Sequence, residues 1–317
     1  MTTVLTGGTG GAKFVDGLRR ILPPEELTII VNTGDDHDWW GLYVSPDLDS
    51  ITYVLAGMLS PERGWGVRGD TFHCLQAMKE FSEPSWFSVG DRDLATHLLR
   101  TILLSRGRTL SETARIIAEK LGVRSRVLPM SDQRVQTRIE TPAGELSFEE
   151  YFVKRRYQDP VKSVRFVGAS ESKPAPGALE AITKADAVLI APSNPITSIG
   201  PILAVPGIRD ALRETAAKVV AVSPIIGNAA VSGPAASLMA SQNLSATIAG
   251  LADYYADFLD MLIVHDSDAE TAHALSSNGV EFVSTDILMR TTEDKVRIAN
   301  SALACALPEN ADVQVAS

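Results

Sequence analysis

The sequence predicts an α/β fold: a parallel sheet with helices on both faces and a smaller β-rich insertion. Three observations predict it. Short β-branched runs alternate with helical stretches at both ends of the chain, the rhythm of βαβ units. The first such run, Val4-Leu5, passes directly into Gly7-Gly8-Thr9-Gly10-Gly11, a turn in which backbone can approach a ligand closely. With 317 residues, 45% hydrophobic and 21% charged, the chain can bury the core of one elaborated α/β domain.

Taken in order, the amphipathic spacing from Lys13 to Ile21 predicts a helix that begins near Ala12. Leu27 to Val31 is a compact apolar strand, followed by an acidic loop from Asn32 to Asp38. Helical spacing resumes from Asp49 to Leu59, and Leu94 to Leu121 is long enough for two helices. Between them lies the loop Gly64-Trp65-Gly66-Val67-Arg68. The middle changes character. Val135 to Ile139 and Glu145 to Phe148 flank Thr141-Pro142-Ala143-Gly144 and read as a β-hairpin, with a further strand at Val164 to Val167. Buried-strand patterns then return at Ala187 to Ala191, Val219 to Val222, Met261 to Val264 and Glu281 to Val283. The expected organisation is a nucleotide-binding core over 1–121 and 176–308, a β-rich insertion or cap over 122–175, and a frayed polar tail over 309–317.

Composition excludes several classes. The formal net charge is −10 and no Lys/Arg block offers a basic face, so nucleic acid is not an expected partner. Cys74 and Cys305 form neither a CxxC nor a disulfide framework, which suits a reducing cytoplasm. No apolar run approaches the roughly 20 residues needed to span a bilayer, and the N-terminus runs straight into a strand pattern. The protein reads as cytoplasmic, with no membrane partner.

In an open α/β sheet, ligands bind outside the carboxyl ends of the strands. Here the strands lead into Thr6-Gly7-Gly8-Thr9-Gly10-Gly11, Asn32-Thr33-Gly34-Asp35-Asp36, Ser193-Asn194-Pro195-Ile196-Thr197-Ser198, Ser223-Pro224-Ile225-Ile226-Gly227-Asn228 and His265-Asp266. Gly7, Gly8, Thr9 and Gly10 would let backbone N–H groups meet phosphate oxygens, with a helix N-terminus and Lys13 adding positive charge. The loop completes neither GxGxxG nor the Walker pattern, and a tight turn without ligand is the other reading. Ser193, Asn194, Thr197, Ser198 and Ser223 suit a nucleotide, and equally a helix-capping turn.

Two further clusters carry charge. Ser45-Pro46-Asp47-Leu48-Asp49 sets two carboxylates at a helix start, where they favour the dipole or hold Mg²⁺ through Asp49 or Asp47. Asp35, Asp36 and Asp38 are weaker metal candidates. Gly90-Asp91-Arg92-Asp93-Leu94-Ala95-Thr96-His97 contains Arg92, which is either a surface ion-pair residue or a phosphoryl clamp, and His97, either packed or site-lining. Trp39, Trp40, Trp65 and Trp86 fall near these loops and would either pack the core or wall a pocket for a flat ring.

Together and in this order, TGGTGGAKF, VNTGDD, SPDLD, RGWG, GDRDLATHL, LPMSD, APSNPITSIGPIL, PGIRDAL and SPIIGN resemble the 2-phospho-L-lactate transferase family (CofD/FbiA type) of coenzyme F-420 biosynthesis. They span residues 6 to 228. The resemblance implies a Rossmann-like, homodimeric, Mg²⁺-dependent enzyme. Its substrates would be lactyl- or enolpyruvyl-diphospho-guanosine and the deazaflavin Fo, whose terminal ribitol hydroxyl receives the phospho-acid as GMP leaves. On that resemblance Asp49 and Arg92 are the catalytic residues and, with His97, contact Fo. Asp49 and Asp47 hold the metal, Gly7, Gly8 and Gly10 meet the phosphates, and Ser193, Asn194, Thr197 and Ser198 meet the guanosine diphosphate.

Two other functions compete. A related branch resembles a nucleotide-sugar-binding regulator without transferase activity, for which SPDLD and GDRDLATH would be dispensable. The glycine loop alone also suggests a nicotinamide-dependent oxidoreductase, with Asp35 or Asp36 reading the ribose. The incomplete fingerprint weakens that reading.

Overall fold

The computed structural model describes residues 1–227, 229–231, 233–275 and 279–307. The expected frayed tail over 309–317, and Asn228 of the loop after the strand at Val219, lie outside them.

Seven strands make one all-parallel sheet. They are β1 (Thr2–Thr6), β2 (Leu27–Val31), β3 (Arg126–Pro129), β4 (Ala187–Ile190), β5 (Lys218–Val222), β6 (Met261–His265) and β7 (Glu281–Thr285). Their spatial order is β7-β6-β5-β4-β1-β2-β3. The chain therefore builds outward from β1 to β3, returns to the middle at β4, and builds outward the other way. The junction of β1 and β4, paired from Thr2 with Ala187 to Leu5 with Ile190, is the topological switch point.

β1, β2 and β4 are buried along their whole length, which is why they read as continuous apolar runs. Alternate residues feed two cores. Val4, Ile29 and Leu189 face the helices α1 (Gly8–Leu18), α2 (Pro46–Leu55) and the C-terminal Thr292–Ala306 through Phe14, Leu18, Ile51, Ile298 and Leu303. Leu5, Ile30 and Ile190 face the opposite layer through Ile182, Ile208, Leu238 and Leu251. Helices thus cover both faces, as expected. No helix among the described residues is long and apolar enough to cross a membrane.

Several boundaries differ from expectation. The first helix begins at Gly8, not near Ala12, so most of the glycine turn is its first turns. Glycine's low helix propensity disguised this. The second helix begins at Pro46 rather than Asp49, with proline at a position where it needs no N–H. Within the expected acidic loop, His37–Trp39 pairs with Leu42–Val44 as a short antiparallel hairpin. The expected insertion over 122–175 starts too early. Arg126–Pro129 is the edge strand β3, paired with β2 from Thr28 to Val31. The remainder does contain a three-stranded antiparallel sheet, Gly144–Ser147, Gln136–Thr141 and Ser163–Val167. The long helical stretch resolves into α3 (Asp91–Ser105) and α4 (Leu110–Lys120), as the spacing suggested.

Candidate active site

A cleft of about 590 Å³ opens where the loops after β1 and β4 meet. Of the expected site residues it is lined by Gly7, Gly8, Thr9, Gly10, Lys13, Asp47, Asp49, His97, Ser193, Asn194, Thr197, Ser198 and Ser223. Arg92 is not among them. Its side chain is exposed on the first turn of α3 and donates to the Arg68 carbonyl at 3.4 Å. The geometry therefore gives no support to the expected phosphoryl clamp.

The glycine loop works through close approach. Gly8 has φ +65°, left-handed backbone that favours glycine. A Cβ on Gly10 would collide with the Pro192 carbonyl oxygen, so only glycine lets α1 nest against the loop after β4. Ser193 Oγ fastens the two loops by donating to the Gly7 carbonyl at 2.7 Å. No side chain caps α1 from Gly7 and its first turn has no acidic residue, so its N-terminal end faces the cleft. Asn194, by contrast, spends its carbonyl oxygen on the Ile196 and Thr197 N–H groups, at 2.9 and 3.2 Å. Ser223 is similarly occupied within its own turn by Ile225.

Beside this cradle lies a buried carboxylate cluster. Asn32 Nδ2 donates to both Asp35 Oδ2 and Asp47 Oδ2 at 2.9 Å, holding the two acids together. Gly8 N–H donates to Asp47 Oδ1 at 2.8 Å, which joins the cluster to the start of α1. Burial raises the Asp47 carboxyl to about 6, against the pull of those hydrogen bonds. Asp35 is also raised well above the ordinary carboxylate range, by burial and then by the charges of Asp47, Glu149 and Asp36. Burial, followed by Asp47 and Asp36, lifts Glu149 to about 8. Asp36 also rises to about 8 through burial, although Ser45 and Tyr43 donate to it at 2.6 and 2.9 Å. Asp38 is separate: it forms an exposed pair with Arg134.

A second polar group sits under the cleft floor. Arg100 is fully buried and grips both oxygens of Asp49, with its NH1 at 3.0 Å from Oδ2 and its NH2 on Oδ1. His97 Nδ1 lies 3.4 Å from Asp49, and its Nε2 lies 3.7 Å from Asp93. Tyr53 donates to Asp93 at 2.7 Å. Burial alone would raise the Asp49 carboxyl, but Arg100 and His97 outweigh it and hold it below the ordinary carboxylate range.

Two donor sets could take a divalent cation. Asp49, Asp93 and His97 bring ligand atoms within 4.8 Å of one another, but Arg100 already balances Asp49. Asp35 and Asp47 have no such balance, and Asp35 Oδ1 is buried without any hydrogen-bond partner. Hard oxygen donors that no side-chain cation occupies fit a hard cation such as Mg²⁺. The fit favours Asp35 with Asp47 over the expected pair of Asp47 and Asp49.

Sequence reasoning missed Arg100 and Glu149. Arg100 had a legible signal: Asp93, His97 and Arg100 fall at i, i+4 and i+7, one polar face on a leucine-rich helix. Glu149 had none, because it arrives from the insertion. Of the four tryptophans, Trp65 lines the cleft, whereas Trp39, Trp40 and Trp86 pack on one another.

Residues 2–304 match the family model described as 2-phospho-L-lactate transferase CofD. The chain is 43% identical over 290 residues to the 2-phospho-L-lactate transferase of Methanococcoides burtonii, covering 92% of this chain and 94% of that one. It is 40% identical over 309 residues to the phosphoenolpyruvate transferase of Streptomyces coelicolor, covering 96% and 97%. A crystal structure of a UPF0052 family member from Bacillus halodurans superposes with a TM-score of 0.64 at 21% identity, over 95% of this chain and 98% of that one, and shares the fold.

Proposed function

The chain belongs to the 2-phospho-L-lactate transferase CofD family, and from that premise we propose that it transfers a phospho-three-carbon acid to a deazaflavin. The donor is the guanosine diphosphate ester of phospholactate or enolpyruvyl phosphate. The acceptor is the ribitol hydroxyl of Fo, and GMP is released. One observation carries this reading: the glycine turn at the start of α1 and the Asp35–Asp47 pair line one cleft, joined by the Gly8–Asp47 hydrogen bond.

The first turn of α1 and Lys13 receive the diphosphate, with the helix dipole offsetting its charge. Asp35 and Asp47 would hold Mg²⁺, which supplies charge neutralisation at the diphosphate when bound. Asp49, kept ionised by Arg100 and adjoining His97, orients the acceptor hydroxyl. That hydroxyl attacks the phosphorus bearing the three-carbon acid. A new O–P bond forms, the bond to the GMP phosphate breaks in line, and the hydroxyl proton passes to the phosphate of the departing GMP. Positioning and electrostatics suffice for such a transfer, so no covalent phospho-enzyme is required.

The test is incubation of the protein with Fo and the guanylylated phospho-acid. Mg²⁺-dependent GMP release that requires Fo is the expected result. Release that ignores Fo, or a labelled protein adduct trapped in a single-turnover quench, would refute the direct transfer.

A further inference from the structure

Two glutamates stand side by side where the insertion meets the cleft, and only one has a local use. Glu150 opens the turn Glu150–Lys154. Its Oε2 accepts from both the N–H and the hydroxyl of Ser147 at 3.0 Å, and its own N–H donates to Ser147 Oγ at 3.2 Å. Its neighbour Glu149 is 6% exposed and lines the cleft. No described residue donates a hydrogen bond or forms an ion pair with the Glu149 carboxylate. Burying a carboxylate without a partner is strongly unfavourable, so the position calls for a group that the chain does not supply.

The surroundings fix the sign of that group. The charges of Asp47 and Asp36 act on Glu149, and Glu149 acts in turn on Asp35. Asp35 Oδ1 is likewise buried without a hydrogen-bond partner. Two unpartnered acids facing one cleft from different elements point to a cation. The two sides also belong to different parts of the fold. Asp35 follows β2 and Asp47 lies in the first turn of α2, whereas Glu149 follows Gly144–Ser147 of the insertion's sheet. Insertion and core already meet at this acidic loop. Thr137 N–H donates to the Gly34 carbonyl at 2.7 Å, and a Cβ on Gly34 would stand 2.6 Å from Thr137 Oγ1. A cation shared by Glu149, Asp35 and Asp47 would close the same junction from the cleft side.

We infer that Glu149 is the insertion's contact to the divalent cation held by Asp35 and Asp47, and that the cation thereby fastens the insertion to the core. This rests on the proposed assignment of the metal to that pair. The three carboxylates do not bring ligand atoms within 4.8 Å of one another, so Glu149 meets the ion through a coordinated water. Mg²⁺ keeps several of its waters, and carboxylates commonly hold a metal's ligands in this indirect way. The bound ion then holds the turn Glu150–Lys154 against the core. That turn supplies Phe152 and Val153 to the cleft wall, so metal binding and the shape of the cleft are coupled.

The experiment titrates the full-length, chelator-treated protein with Mg²⁺ alone, reading affinity by calorimetry and amide hydrogen exchange over residues 147–154. Wild-type protein should gain protection there as Mg²⁺ binds. Glu149→Gln keeps the size of the side chain and removes its charge. It should raise the Kd for Mg²⁺ about tenfold, the lower end for a residue that acts on a metal through one of its ligands. It should also lose the added protection over 147–154, even at saturating Mg²⁺. Glu150→Gln removes the adjacent exposed charge and should keep both the Kd and the Mg²⁺-induced protection. Circular dichroism matching the wild type verifies that each variant is folded. Glu149→Gln with an unchanged Kd, or with unchanged Mg²⁺-induced protection, overturns the inference. So does an equal loss in Glu150→Gln, which would reduce the effect to nearby charge. If Asp47→Asn abolishes Mg²⁺ binding while Glu149→Gln leaves it intact, the metal pair stands and the role of Glu149 fails. Wild-type protein that binds no Mg²⁺ defeats the pair, and the inference with it.

Discussion

Arg100 lies beneath Asp49 and donates to both of its carboxylate oxygens, each residue being fully buried at the floor of the cleft. The pair is a means of keeping an acid charged away from water. Removing one partner leaves the other as an uncompensated buried charge. Arg100→Ala should therefore lower the unfolding free energy by about 3–5 kcal/mol in urea denaturation. Replacing both residues with leucine should restore most of that loss and abolish turnover. Turnover that survives Asp49→Ala at near wild-type rate would remove Asp49 from the mechanism.

Asp35 and Asp47 share the amide of Asn32 without a balancing cation, and this predicts a response to Mg²⁺. Mg²⁺ added to chelator-treated protein should raise the thermal midpoint, since a ligand that binds only the folded state stabilises it. Asp35→Asn and Asp47→Asn should each lose that rise and lower kcat at least about a hundredfold, the scale of one lost electrostatic contact to a transition state. Wild-type protein whose midpoint ignores Mg²⁺ would exclude this site.

The same cluster fixes the sign of a pH dependence. Glu149 and Asp36 are each raised to about 8, so both bind a proton in the folded protein that they release when unfolded near neutrality. Their protonated forms stabilise the fold fully below their unfolded values. That contribution is lost as pH rises through the folded ones. Metal-free protein should thus lose stability between about pH 5 and pH 8.5, by up to about 1.4 kcal/mol per pH unit for each group. Glu149→Gln should flatten the slope by one such share. Urea unfolding at a series of pH values in chelator measures it, and a slope that is unchanged in Glu149→Gln would contradict the assignment.

What the sequence revealed of this fold follows from burial. β1, β2 and β4 lie between two helical layers, so their side chains are apolar on both faces and the strands stand out. The hairpin of His37–Trp39 and Leu42–Val44 was concealed because each strand has three residues and the first carries His37 and Asp38. Most of the cleft wall was legible because strand ends at a switch point announce themselves by glycine, serine and asparagine. The balance of charge within it was not. Arg92 stands beside Asp91 and Asp93 in the chain but points to solvent, and the guanidinium that meets Asp49 comes from two turns further along α3. Helical position, not sequence proximity, decides which arginine enters.

That inversion of α3 leads to the last prediction. The only buried residues of the helix are Asp93, His97 and Arg100, because its inner face serves the cleft. Its outer face consequently carries the apolar residues. Leu98 and Ile102 are 44% and 42% exposed, one turn apart, with Ala95 exposed beside them. Positions 95, 98 and 102 follow the spacing of a helix-packing seam with a small residue at one end. The prediction is that this seam packs against a second copy of the chain. Light scattering of the purified protein should give twice the mass of the 34.0 kDa chain. Leu98→Glu with Ile102→Glu should shift it to monomer, because paired charges at the seam have no partner. A dimer of unaltered mass in that variant would place the interface elsewhere, and a monomeric wild type would exclude the homodimer altogether.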